Sequence, residues 1–433
     1  MKTKSIDRRM FLQQILSAYS CLGLRSFLLG VSPAFLSQRL MADSGERQFL
    51  IFSSDVQGSP LNCNVPGAYM NGIDHPTQAA MAPTNFQLGN VNVRAAAPWA
   101  LLPRQMLSRL HFIHNRTQIN AHTEFNDVMY GLGRIKSESG AGAEMIASVV
   151  AQENYKTLGT VMEKPIVLDS RLEFKGNQIN SVTPRLFQSL FSGQGRTQVT
   201  QMMKFRDQAI DTLYADLKEK GTPAQKDFLE SAIKSRSQAR ALSEKLINDL
   251  SDLPSDDTEA AILVAAVVCA AGVSPVANIR LGFGSDNHAD ANLDDEVSET
   301  LASIANLSLL QTHLTDFGIS DRVTFAIQNA FGRTLRRNAK GGRDHNSQHN
   351  VTVVFGPKVK PGVSGGIETV NGANGGRALA FNSQTGRPAD NGDITPATSL
   401  ISSVKTIYKA CGLPDEVIEK RAQGGKVIKA ALI

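Results

Sequence analysis

"ANIRLGFGSDNHADANLDDEV" (277–297) begins as an apolar run, breaks at Gly282 and Gly284, and then sets Asp286 and His288 two positions apart. It reads as a buried strand that delivers a polar loop. In extended backbone, residues two apart face the same way, so this pair could grip one cation. Carboxylate with imidazole suits zinc, manganese or iron, whereas calcium alone would want more oxygens. A lone Asp-x-His is also common in loops that merely face solvent, so the rest of the chain has to weigh in.

Outward from this stretch, strands and helices alternate. "RQFLIFSSDVQGSP" (47–60) is an apolar run breaking into Ser-Ser-Asp, and "SRLHFIHNRT" (108–117) is a second strand ending near His114. "GAEMIASVVAQENY" (142–155) is helical and "KPIVLDS" (164–170) is a short strand. "TEAAILVAAVVCAAGV" (258–273) is an apolar helix too short to read as a membrane span, which needs about 20 residues. A helix over 296–318 has a glycine stop, and strands follow at 321–334 and 350–357. The stretch 362–395, rich in Gly, Asn and Asp, reads as surface loop before a final helix. This alternation predicts an α/β fold, a central mostly parallel sheet flanked by helices. In such sheets ligands gather at the carboxyl ends of the strands.

Residues 184–251 differ. Apolar residues recur there at three- and four-residue spacing among many charges, around a Gly-Thr-Pro turn. That pattern predicts a helical-hairpin insertion with no chemistry of its own.

Composition narrows the function. The 433 residues are 42% hydrophobic and 20% charged, ordinary for a globular chain. The net charge of +5 comes entirely from residues 1–40, where Lys2, Lys4, Arg8, Arg9, Arg25 and Arg39 face one acid, Asp7. The remainder is formally neutral and has no overall surplus for binding phosphates, so nucleic acid is not an expected partner. "SIDRRMFLQQILSAYSCLGLRSFLLGVSPAFL" (5–36) has a basic start, paired arginines and a broken apolar stretch. It resembles a twin-arginine export signal, so residues 1–45 are expected to be a leader and 46–433 a periplasmic or secreted domain. No transmembrane segment beyond that leader is expected. Four cysteines (Cys21, Cys63, Cys269 and Cys411) show no paired spacing, which argues against a disulfide framework.

Three polar clusters follow strands: Asp55; Asp286 with His288; and "GGRDHNSQHN", which carries Asp344, His345 and His349. Each alone has a bland reading, since Asp55 could cap a helix and histidine-rich loops often only face water. Together they favour a metal site. His122 could line the same cleft or be a structural histidine. Arg333 and Arg343 could bind an anionic oxygen bidentately or pair with acids.

"LGFGSDNHADANLDDEV" together with "FGISDRVTFAIQNAFGRTLRRNAKGGRDHNSQHNVTVVFGPKVKPGVSGG" (317–366) resembles the bacterial DUF1501 family. That family is typified by an Asp-Thr-His turn, a Ser-Glu-Phe-Gly-Arg strand end and a Gly-Thr-Asp-His-Gly loop. The resemblance is strong over about 277–366 and weaker over 46–130. It implies a fold similar to the alkaline phosphatase and sulfatase superfamily. Asp286, His288, Asp344 and His345 then fall on metal-ligand-like positions, and Asp55 where the first strand presents an acidic ligand. Asn329-Ala330 replaces the family's Ser-Glu pair, leaving Asn329 as a neutral and weaker ligand. The nucleophile region holds only Ser59 as a weak candidate. Two readings follow: an exported metal-dependent hydrolase of phosphate or sulfate esters, or a catalytically degenerate protein that binds a glycan or a partner. The expected cofactor is a divalent metal (zinc, manganese or calcium), and the expected ligand a small anionic ester or glycan.

Overall fold

The computed structural model describes residues 47–129, 145–192, 245–369 and 375–433, together with scattered positions between 205 and 230. The expected leader at 1–45 lies outside them. So does most of the hairpin expected over 184–251, of which helix Pro184–Ser192 is described. Within that segment Gln188 donates to the carbonyl of Leu250 and Arg185 to that of Pro254.

The remaining residues build one seven-stranded sheet. In chain order its strands are β1 (Phe49–Asp55), β2 (Leu110–Asn115), β3 (Ile166–Val167), β4 (Val276–Ile279), β5 (Val323–Asn329), β6 (Asn350–Phe355) and β7 (Gly362–Ser364). They lie in the order β7-β2-β6-β5-β1-β4-β3. β1 pairs in parallel with both β4 and β5, which makes it central. Its seven residues are all buried, which explains why it reads as a continuous apolar run rather than an alternation. β6 runs antiparallel to both β5 and β2, so it alone is reversed. The sheet is therefore mostly parallel. The carboxyl ends of six strands and the amino end of β6 share one edge.

Helices cover both faces. α1 (Ile146–Leu158) and α4 (Ser399–Ala410) share an apolar cluster with Leu50 and Phe52 of β1. α2 (Asp257–Ala270) also packs on β1 and β4 but contributes nothing to that cluster, so it occupies the opposite face with α3 (Asp294–Asp316). α2 is apolar nearly throughout because it is enclosed, and the Asp256 carboxylate caps it by accepting from the backbone N–H of Thr258 and Glu259. α3 opens with Asp294, Asp295 and Glu296, acids that suit the positive end of the helix dipole. Asp290 adds a cap from the preceding loop, accepting from the N–H of Asp295 and Glu296. Gly318, at φ 65°, supplies the left-handed stop. No helix among the described residues is long and apolar enough to cross a membrane.

One local expectation changes. The glycine-rich stretch from 362 is not all surface loop: β7 joins the main sheet beside β2, and Ile367–Thr369 pairs with Gly376–Ala378 as a hairpin. Three-residue strands are too short for periodicity to register. The strand expected to run into a loop within 321–334 ends at Asn329, and in that loop Gly332–Arg333 pairs with His345–Asn346. Cys63, Cys269 and Cys411 are buried free thiols.

Candidate metal centre

The sheet edge carries the chemistry. After β4 the chain turns through Gly282 and Phe283, both with positive φ, and passes over the end of β1. Gly284 sits so close to Asp55 that an added Cβ would lie 2.4 Å from its Cγ, so only glycine fits there. The turn delivers Asp286 and His288. The short ladder of Gly332–Arg333 with His345–Asn346 holds Arg333 and His345 nearby, and the loop after β2 contributes His122.

Asp286 is the hub. Its Oδ1 lies 3.3 Å from His288 Nε2, 3.5 Å from His122 Nε2, 3.9 Å from His345 Nε2 and 3.1 Å from Arg333 Nη2. The two facing nitrogens of His288 and His345 are 3.0 Å apart. His122, Asp286 and His345 place their ligand atoms within 4.8 Å of one another, as a metal-holding triad would.

The outer ring nitrogens decide how this cluster works. His122 Nδ1 lies 2.7 Å from the Val56 carbonyl and His345 Nδ1 2.7 Å from the Asn120 carbonyl. A carbonyl oxygen only accepts, so each Nδ1 must carry the proton. His288 Nδ1 lies 3.1 Å from Asp344 Oδ1, and a carboxylate imposes the same tautomer. In its neutral form each ring therefore aims a bare Nε2 lone pair at the Asp286 carboxylate. Three lone pairs and a carboxylate oxygen repel one another unless a cation or extra protons sit among them. Protonation is disfavoured at His345, whose pKa is lowered by burial and further by the positive charge of Arg333. Metal–nitrogen bonds of about 2.0–2.1 Å would set tetrahedral ligand atoms roughly 3.3–3.4 Å apart, close to the spacings seen. The ring whose other nitrogen is fixed by a carbonyl or carboxylate is the usual arrangement behind a metal. The donor set thus fits a divalent cation.

The neighbours tune the site. Arg333 is buried, and its Nη2 also donates to the carbonyls of Gln57 and Ser285. Burial works against the Asp286 carboxylate, but the hydrogen bond and charge of Arg333 hold its pKa below the usual value. Arg333 Nε and Nη1 have no partner among the described residues. The His345 ring stacks on buried Phe331 with centroids 4.1 Å apart, which fixes its orientation. Asn338 donates to Asp344 Oδ1 at 2.8 Å and to the His288 carbonyl at 3.0 Å, tying the two loops together.

The other residues singled out in the sequence sit elsewhere. Asp344 orients His288 rather than joining the triad. Asp55 is held by Arg280 at 2.6 Å and by the Gln57 N–H at 2.8 Å, so both oxygens of its carboxylate are already engaged. Asn329 is fully buried at the end of β5 with both amide atoms unpartnered. Ala330 beside it belongs to an apolar cluster. Ser59 is fully buried, and its Oγ accepts from the Leu61 N–H at 3.1 Å, the role of a turn cap rather than of an exposed nucleophile. Arg343 is fully buried and bonded to Glu296 at 2.7 Å and to the carbonyls of Thr334, Leu335 and Asp74, which leaves it no face for a substrate. His349 pairs with His114 at 2.9 Å in the interior. His122 is the residue whose place among the ligand atoms its sequence does not announce.

Residues 230–374, which supply Asp286, His288, Arg333 and His345 but not His122, match the DUF1501 family model. That model is described as "Protein of unknown function (DUF1501)" and covers about a third of the chain. No curated protein matches. Among solved structures, one titled "Crystal structure of Ps i-CgsB" aligns at 12% identity over 87% of this chain and 74% of its own, with a TM-score of 0.33. At that score the alignment carries no argument about fold or function.

Proposed function

We propose that this DUF1501-like chain is an exported protein that holds one divalent cation on His122, Asp286, His345 and His288, and that it is a hydrolase of phosphate or sulfate esters. The observation that carries the metal reading is the convergence of three bare Nε2 atoms on Asp286 Oδ1. The paired arginines and apolar stretch near the N-terminus support export, and the resemblance to the alkaline phosphatase and sulfatase superfamily supports the ester class. Nitrogen-rich ligation favours zinc, with manganese next and calcium last.

A bound divalent cation would act as a Lewis acid on an ester oxygen. The chain's own residues then have defined tasks. Arg333 holds the Asp286 carboxylate through Nη2 and keeps it ionised. Asp344 keeps the proton of His288 on Nδ1. Phe331 shields one face of His345 from water.

A specific observation favours a second reading. Ser59 is buried and capped, and Asn329 with Ala330 supplies no acid for a second cation, so a binding protein with lost activity fits the same site. The test is elemental analysis of purified protein loaded with zinc or manganese, followed by assay on p-nitrophenyl phosphate and sulfate. One cation per chain, lost in both His122→Ala and Asp286→Asn, is expected, with ester hydrolysis that depends on the same residues. No bound cation in the wild type overturns the metal site. A full cation complement without hydrolysis of either ester moves the protein to the binding reading.

A further inference from the structure

We propose that a second site, a cavity of about 600 Å³ beside the loop that carries His345, binds a small zwitterion of the amino-acid or short-peptide class. The cavity is lined by Arg116, Glu368, Arg377, Asp390, Leu379 and Pro388, among others, and by none of the four proposed metal ligands. Its volume lies in the range of small-molecule sites.

The charges around it do not all cancel in place. Arg377 and Glu368 satisfy each other at 2.6 Å across the hairpin. Arg116 and Asp390 have no such partner among the described residues. Arg116 follows directly on β2, and its backbone N–H is anchored to Ser399 Oγ at 3.0 Å. Its Nε is buried without a hydrogen-bond partner. Arg116 lines the cavity, and its two terminal nitrogens make no hydrogen bond among the described residues, so a carboxylate entering the cavity would meet them with the bidentate geometry that Arg prefers. Asp390 is exposed and offers a carboxylate of opposite sign in the lining of the same cavity.

Among the described residues, one unpaired cation and one unpaired anion line the cavity, which selects against a dianion such as phosphate that Asp390 would repel. They select for a ligand that carries both signs. The lining between them includes Leu379 and Pro388, with alanines at 378, 380 and 389, so the body of the ligand is expected to be small and apolar. Lining residues are braced by backbone bonds from Ala378 N to the Gln348 carbonyl and from Ala389 N to the Ala380 carbonyl, both 2.9 Å.

The experiment is isothermal titration calorimetry on the full chain with alanyl-alanine, its N-acetyl derivative, its C-terminal amide and inorganic phosphate, each with and without zinc. Saturable binding of alanyl-alanine is expected, at least about tenfold tighter than either blocked form, because each block removes one charge-assisted contact. Zinc should leave that affinity unchanged, which separates this site from the metal reading. Arg116→Gln should weaken alanyl-alanine by about tenfold or more at unaltered melting temperature. Asp390→Asn should weaken alanyl-alanine but not the N-acetyl form. No saturable binding by the wild type, equal affinity for the blocked forms, or phosphate binding as tightly as alanyl-alanine would overturn the proposal.

Discussion

Arg333 and Arg343 stand ten residues apart in one loop, each preceded by glycine and each buried, and they do opposite things. Arg343 is engaged at each guanidinium nitrogen. Glu296 neutralises it and three backbone carbonyls take three of its other four N–H groups. It nails the loop to the first turn of α3. Arg333 gives one nitrogen to Asp286 and two carbonyls and leaves Nε and Nη1 without partners among the described residues. The contrast teaches that residue type and local sequence do not make an arginine functional. What matters is whether the fold leaves it donors to offer.

The comparison can be broken at its strongest point first. Arg343→Met should strand the Glu296 carboxylate in the interior and cost roughly 3–5 kcal/mol in guanidinium denaturation. Adding Glu296→Leu to that variant should recover much of the loss, because no uncompensated charge then remains. A single variant as stable as the wild type would mean that Arg343 is not the structural member of the pair.

A smaller effect separates ligands from the residues that aim them. Asp344→Ala removes the partner of His288 Nδ1 and frees that ring to turn. Zinc affinity, read by competition with a chromogenic chelator, should fall roughly 10–100-fold while the melting temperature of the metal-free protein barely changes. An unchanged zinc affinity would show that His288 is not held from behind.

The smallest effect is one of pH. Burial raises the pKa of Glu299 on α3 from 4.5 to about 7, with Asp55 and Asp295 pushing the same way and Ser285 and Arg280 opposing. A raised folded-state pKa means that the native state holds the proton more tightly than the unfolded chain does. The associated stability is therefore complete below about 4.5 and is lost as pH rises through about 7. Melting temperatures from pH 5 to 8 should decline in the wild type and decline less in Glu299→Gln. Parallel curves would assign the trend to other groups.

Much of this arrangement is written locally and some of it is not. Strand ends are legible because a buried parallel strand is an apolar run that must break into polar residues at the edge. That places Asp55, Asp286 and the Asp344-His345 pair without coordinates. His122 is not legible as a ligand, since its distance from Asp286 depends on how β2 sits relative to β5, with β6 reversed between them. Nor is the engagement of Asp55 by Arg280, which needs the lateral register of β1 on β4. Ser59 reads as a free hydroxyl until Leu61 is seen to use it. Each miss is a matter of what lies beside a residue across the sheet, which spacing along the chain does not encode.

The central place of β1 sets a schedule for biosynthesis. Its two neighbours are residues 276–279 and 323–329, so the strand made first waits for partners made more than 200 residues later. No ribosome-bound fragment that stops short of β4 can close the middle of this sheet, and contacts of such long range form slowly. The segment Phe49–Asp55, apolar and unpaired, must be kept from other chains during that interval, which makes it the stretch a chaperone has most reason to cover.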